Sequence, residues 1–104
     1  MAGRKIYISG KVTGDPGYRE KFIAEADRLQ ALGYRPVNPT AQIPADASWP
    51  AAMRIALGAM LECDGVSLLS DWRDSRGAMV EERLARELEM DVRASGEWGV
   101  EEGQ

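Results

Sequence analysis

The chain has 104 residues, 44% of them hydrophobic and 29% charged, which suits a single domain over residues 1–104 with one modest core, about 5–94, and a tail over 95–104. A formal net charge of −4 argues against duplex nucleic acid as a partner, since binding a phosphate backbone needs a clustered basic surface, and no apolar run nears the roughly 20 residues that cross a bilayer. With no histidine, Ser-His and Cys-His nucleophilic catalysis and the commonest transition-metal ligand are both absent, so no metal or cofactor is expected; chemistry falls to carboxylates, hydroxyls, Lys, Arg and backbone dipoles.

Met1 leads through Arg4 and Lys5 into a short strand-like run and not into a long apolar stretch, so no secretory signal is expected. Residues 5–9 form a first strand, closed by Gly10 and a loop holding Gly14, Asp15, Pro16 and Gly17. Tyr18, Phe22, Ala26 and Leu29 recur at helical spacing, with Ile23 widening the stripe and Gly33 at the stop. Residues 34–38 read as a second, short strand, and Pro36, which lacks a ladder donor, puts it at an edge.

The proline- and alanine-rich segment from Pro39 to Trp49 is a loop long enough to reach over a neighbouring site. Ser48 caps a helix with Pro50 in its first turn that runs through Met53, Ile55, Leu57, Met60 and Leu61. Only Arg54 and Glu62 are charged there, so that helix should be buried on more than one side, and in so small a chain a second buried side suggests a subunit interface. The single cysteine, Cys63, fits a reducing cytoplasm and reads as a packed side chain more readily than as a nucleophile.

Residues 64–70 form a third, apolar strand, a helix follows from near Ser75, residues 90–94 form a short fourth strand, and 96–104 is a frayed tail on which Trp98 can dock. Strands alternating with helices imply parallel crossovers. The expected fold is therefore α/β, a three-layer, doubly wound, flavodoxin-like parallel sheet in order 2-1-3-4 with helices on both faces.

The helix after the third strand carries the informative residue. At about 100° per residue, Gly77, Val80, Leu84, Ala85 and Leu88 share one face and Glu81 falls in the middle of it, while Glu82, Arg83, Arg86, Glu87 and Glu89 lie on the other side. An inward carboxylate one turn into such a helix sits where open α/β sheets bind ligands. The alternative reading is that Glu81 only satisfies free N–H groups and the positive end of the helix dipole.

Familiar phosphate motifs fail. Ser9, Gly10 and Lys11 lack the upstream glycine and following hydroxyl of a P-loop, and no G-x-G-x-x-G follows the first strand. What remains is a constellation: Ile6 to Gly10 with Thr13 and Gly14, then Val37, Asn38 and Pro39, then Cys63 and Asp64, then Trp72, Ser75 to Ala78 and Glu81. In order and spacing it resembles the nucleoside 2-deoxyribosyltransferase superfamily, including the deoxynucleoside 5′-monophosphate N-glycosidases, over residues 5–93. The resemblance implies Glu81 as nucleophile and Tyr7 as the residue positioning it. It also implies that Ser75, where transferases acting on free nucleosides carry an acid, contacts the sugar 5′ end, pointing to a nucleotide. Ser9, Gly10, Lys11, Asn38, Asp71, Trp72 and Gly77 complete the implied substrate- and phosphate-binding set. Lys11 and Arg76 are either cationic contacts or solvated surface charges.

Active members of that superfamily place an Asp on the helix before the third strand, to hold the sugar and assist the leaving base, and here the position is Ala56. Either another acid, such as Asp15 or Asp71, substitutes, or catalysis is weakened. The reading is thus cleavage of an N-glycosidic bond in a 2′-deoxynucleoside 5′-monophosphate, by hydrolysis or transfer, in a cytoplasmic homodimer. Two alternatives stand beside it: a nucleotide-binding module that has lost its chemistry, and an assembly protein in which Glu81 is a cap.

Overall fold

The computed structural model describes residues 3–99, so the part of the expected tail beyond Gly99 lies outside the described residues. Four strands, β1 (Lys5–Ser9), β2 (Arg35–Val37), β3 (Gly65–Leu68) and β4 (Asp91–Ala94), form one sheet in the order β2-β1-β3-β4. Every pairing is parallel, with Tyr7 opposite Val37 on one side and Val66 on the other. Three helices connect them: α1 (Tyr18–Ala31), α2 (Trp49–Leu61) and α3 (Arg76–Glu87). This is the expected α/β sheet order, with Pro36 in the edge strand β2.

Alternation along the central strands divides the apolar residues into two cores. Ile6 and Ile8 pack with Phe22 and Leu29 of α1, whereas Tyr7, Val66 and Leu68 pack with Ala56 and Met60 of α2 and Ala85 of α3. The sheet is therefore covered on both faces, by α1 on one and by α2 and α3 on the other. The chain runs from β1 to β2 on one side of β1 and returns to β3 on its other side, so the crevice between the carboxyl ends of β1 and β3 is the topological switch point at which such sheets bind ligands.

Helix ends follow local chemistry. Ser48 accepts the Ala51 N–H at 3.2 Å with Pro50 in the first turn, and Ser75 accepts the Ala78 N–H at 3.1 Å. Beyond the end of α3, Glu89 holds φ 58°, a left-handed position that usually takes glycine, while the Met90 N–H returns to the Ala85 carbonyl at 2.9 Å.

Three expectations are corrected by packing. Ile23 is exposed, and the residue that α1 buries beside Phe22 and Leu29 is Glu25. Val80 and Leu88 are exposed as well, because the sheet takes the narrower stripe of Ala78, Glu81 and Ala85. Helix α2, whose second buried side was expected against another subunit, buries Ala56 and Met60 within this chain and leaves Ile55 and Leu61 open to solvent. Finally, residues 96–99 are not frayed: Trp98 is buried and meets Tyr34 edge-on with ring centroids 5.4 Å apart.

Glu25 sits under β3 with its charge answered. The Arg28 guanidinium, one turn on, grips both carboxylate oxygens at 3.0 Å, and the Ser67 hydroxyl donates to Oε2 at 2.7 Å. Arg28 also donates to the Ser95 carbonyl, tying the chain after β4 to α1. The network is closed, with every charge inside it paired.

Candidate functional site

A cavity of about 520 Å³ opens at the carboxyl end of β1 and β3. Its floor carries Tyr7 and Glu81, one wall is the N-terminus of α3 with Ser75, Arg76 and Gly77, and the other is the 39–48 segment together with the first turns of α2. The long proline- and alanine-rich loop therefore does what its length suggests, contributing Ile43 and Pro44 among others to the wall.

Glu81 is 6% exposed, and both of its oxygens are engaged by strand β1. The Tyr7 hydroxyl donates to Oε2 at 2.8 Å and the Ser9 hydroxyl to Oε1 at 2.7 Å. Both hydroxyls reach it because Tyr7 and Ser9 lie two apart on the same face of the strand. Burial pushes the Glu81 carboxyl up to about 7, outweighing the two hydroxyl bonds that favour its ionised form. Burial and the adjacent carboxylate together raise Tyr7 well above the usual phenol value, so the phenol keeps its proton. A helix cap would bond backbone N–H groups; Glu81 instead bonds side chains of another element and faces a cavity, while Ser75 does the capping.

The α3 N-terminus presents the positive end of its helix dipole and the Ser75 hydroxyl, which keeps its proton available for donation while accepting from the Ala78 N–H. Arg76 lies flat over Trp49, with Cζ 3.7 Å from the ring centroid. Gly77 is where α3 passes closest to α2: a Cβ there would meet Met53 Sδ at 3.0 Å. Gly10 is equally constrained, since a Cβ would lie 2.6 Å from a Leu69 side-chain atom.

Of the residues singled out from sequence, Tyr7, Gly10, Ser75, Gly77 and Glu81 line the cavity, and Ser9 reaches it through Glu81. The others serve around its edge. Asn38 accepts from the Thr40 N–H and hydroxyl, shaping the turn into the 39–48 wall. Asp71 gives one oxygen to the Lys11 N–H at 3.1 Å and the other to the Lys21 ammonium, Lys11 takes part through its backbone, and Trp72 is partly buried against the core beneath α2 and α3.

Lys21 escaped the sequence reading. Its ammonium donates to Asp15 at 2.5 Å, to Asp71 and to the Lys11 carbonyl at 2.9 Å, pinning the loop after β1 to the loop after β3. These partners hold the Lys21 ammonium above its usual range against partial burial, and the Lys21 bond holds the Asp15 carboxyl below its own. Asp71 lies 50 residues from Lys21, so no local pattern announces the contact. Trp49, Met53 and Tyr18 also line the cavity without having been singled out; their only signal was membership of, or adjacency to, apolar helical stripes.

Comparison with protein-family models gives a match over residues 4–94, to a domain of unknown function, DUF4406. The chain belongs to the DUF4406 family. No curated protein matches it. Among the described residues no group of His, Cys, Asp and Glu is arranged to hold a metal ion, and no helix is long and apolar enough to cross a membrane.

Proposed function

We propose that this DUF4406 protein cleaves the N-glycosidic bond of a 2′-deoxynucleoside 5′-monophosphate, with Glu81 as the nucleophile. The observation that carries the reading is a buried carboxylate, held by two hydroxyls from β1, at the floor of a cavity at the sheet's switch point. Tyr7 and Ser9 fix the carboxylate and stabilise its ionised form, leaving an oxygen lone pair to attack C1′ through an oxocarbenium-like transition state. The C1′–N bond breaks as the glycosyl ester forms, and water or a second base then releases the sugar. Ser75, the first N–H groups of α3 and Arg76 provide the anion site for the 5′-phosphate.

The exposed apolar residues on α2 and α3, Ile55, Leu61 and Met79 among them, suit burial against a second copy, so the reading extends to a homodimer in the cytoplasm, where Cys63 stays reduced. Sedimentation at micromolar concentration checks the assembly: a monomer throughout removes that part alone. For the chemistry, the purified protein is incubated with each deoxynucleoside monophosphate and base release is followed by chromatography. Release that disappears in Glu81→Gln is expected, and no release from any deoxynucleoside monophosphate, whether its base is natural or modified, overturns it.

A second reading is favoured by one residue. Ala56 lines the cavity with a methyl group where related enzymes carry an acid, which fits a module that binds nucleotides and no longer turns them over. Saturable nucleotide binding without base release, converted to turnover by Ala56→Asp, would establish this reading in place of the first.

A further inference from the structure

Among the described residues two carboxylates are buried to the same extent, Glu25 and Glu81, each 6% exposed. They differ in what answers their charge. Glu25 is gripped by Arg28 through both oxygens. Glu81 has two neutral hydroxyls, and among the described residues none of the ion pairs includes it. Arg76, the cation that lines the same cavity, is stacked on Trp49 and does not lower the Glu81 carboxyl; only Ser9 and Tyr7 do. A buried anion without a counter-ion, opening into a cavity, is complementary to a ligand that brings positive charge to it.

The walls carry a second, independent constraint. The wall formed by α2 and the segment before it includes Ala52, Met53, Ala56 and Ile43, none of which can deliver a proton. Tyr7 and Ser9 spend their protons on Glu81. The remaining groups of the lining with an acidic proton are Asp74, exposed just before α3, and Tyr18, which packs against the core on the α1 face of the sheet, opposite the face that carries Tyr7 and Glu81. A neutral nucleobase leaves as an anion unless it is protonated, and general-acid assistance of that kind is worth about 10²–10⁴ in rate. A base that is already cationic needs no proton.

We infer that the preferred substrates are N-glycosides of cationic heterocycles, such as pyridinium or N-alkylated purine nucleotides, whose positive ring charge is received by Glu81 and whose base departs neutral. This rests on the proposed glycosidase reading. Glu81 forms a bond to C1′ as the C1′–N bond breaks, and the bonding pair returns to the ring nitrogen and cancels its charge. Water then attacks C1′, the ester bond breaks with its electron pair returning to the carboxylate, and one proton goes to solvent. Substrate cation and water thus yield sugar phosphate, neutral base and a proton.

The test uses the full chain and the 2′-deoxy form of nicotinamide mononucleotide, its dihydro form, and the four natural deoxynucleoside monophosphates. The pyridinium nucleotide is expected to be cleaved with a rate enhancement over its uncatalysed reaction at least about 100-fold greater than for any natural nucleotide, matching the missing general acid. Ala56→Asp should raise cleavage of the natural nucleotides by at least about 10-fold relative to that of the pyridinium. In binding, the wild type should prefer the pyridinium to its isosteric, uncharged dihydro form by at least about 10-fold at pH 8, and Glu81→Gln should lose the preference. Natural nucleotides cleaved with equal enhancement would overturn the inference and leave the glycosidase reading standing. Equal affinity of the wild type for the two nicotinamide forms would also overturn the inference alone, whereas cleavage of none of the compounds overturns both.

Discussion

Replacing Glu81 by Gln should stabilise the protein at alkaline pH and do progressively less as the pH falls. The carboxyl titrates near 4.5 when exposed and near 7 in the fold, because burial disfavours its charge by more than the Tyr7 and Ser9 hydroxyls favour it. Below pH 4.5 the group is protonated in both states and contributes no penalty. Between 4.5 and 7 the native state keeps a proton that the unfolded chain releases, so the native state binds more protons and stability falls as pH rises. Above 7 both states are ionised and the loss is complete. At about 1.4 kcal/mol per pH unit, the gap corresponds to roughly 3 kcal/mol.

The introduced glutamine would keep the shape and an acceptor for one hydroxyl, and it does not titrate. Urea unfolding of the two proteins at pH 5, 6, 7 and 8 gives the difference directly, and carboxylates common to both, such as Asp15 and Asp91, cancel. The gain from Glu81→Gln should grow by about 2–3 kcal/mol between pH 5 and 8. Parallel stability curves, or a variant that loses ground with rising pH, would refute the claim that Glu81 is buried without a compensating charge.

The same titration governs reactivity: kcat/KM for a neutral nucleotide should rise through about pH 7 and then level, read from initial rates of base release. Ser75→Ala removes the α3 cap and should cost about 1 kcal/mol in denaturant unfolding as well as weakening nucleotide binding, while Ser75→Thr retains most of the stability. Arg28→Met strands the Glu25 carboxylate beneath β3 and should cost about 2–4 kcal/mol, the partial exposure of Arg28 keeping it below the upper limit for buried pairs. Glu89→Gly relieves a left-handed backbone position and should stabilise by about 0.5–1 kcal/mol, visible as a raised Tm with no change in ligand binding.

Sheet order, caps and the inward carboxylate were all legible before any coordinates, because each rests on a local rule: strand and helix alternation, Ser before an apolar helix, and an acid in an apolar stripe. Ser48, Pro36 and Glu81 take their expected places, and α3 begins beside Ser75 as expected. What was not legible depends on partners distant in sequence. Asp71 looks like a ligand contact until Lys21, 50 residues earlier, is found holding it. Stripe width also misleads: a helix packed flat on a sheet buries fewer positions than its apolar residues suggest, so Val80, Leu88 and Ile23 stay in solvent.

Glu25 sharpens what the misplaced-acid rule detects. It falls three residues after Phe22 and four before Leu29, a pattern as suggestive as that around Glu81, and it is just as buried. The rule therefore finds burial and does not by itself find a site. The two are separated by the neighbouring turn of their own helices. Glu25 is followed at the third position by Arg28, which can reach back and neutralise it locally. Around Glu81 the corresponding positions are Gly77, Ala78, Leu84 and Ala85, none of which carries charge. An acid in an apolar stripe with a cation one turn away is a structural pair; an acid in such a stripe with none must find its compensation elsewhere. In this chain β1 supplies only two neutral hydroxyls, and the remaining side of the carboxylate faces the cavity, where the compensating charge would belong to a ligand.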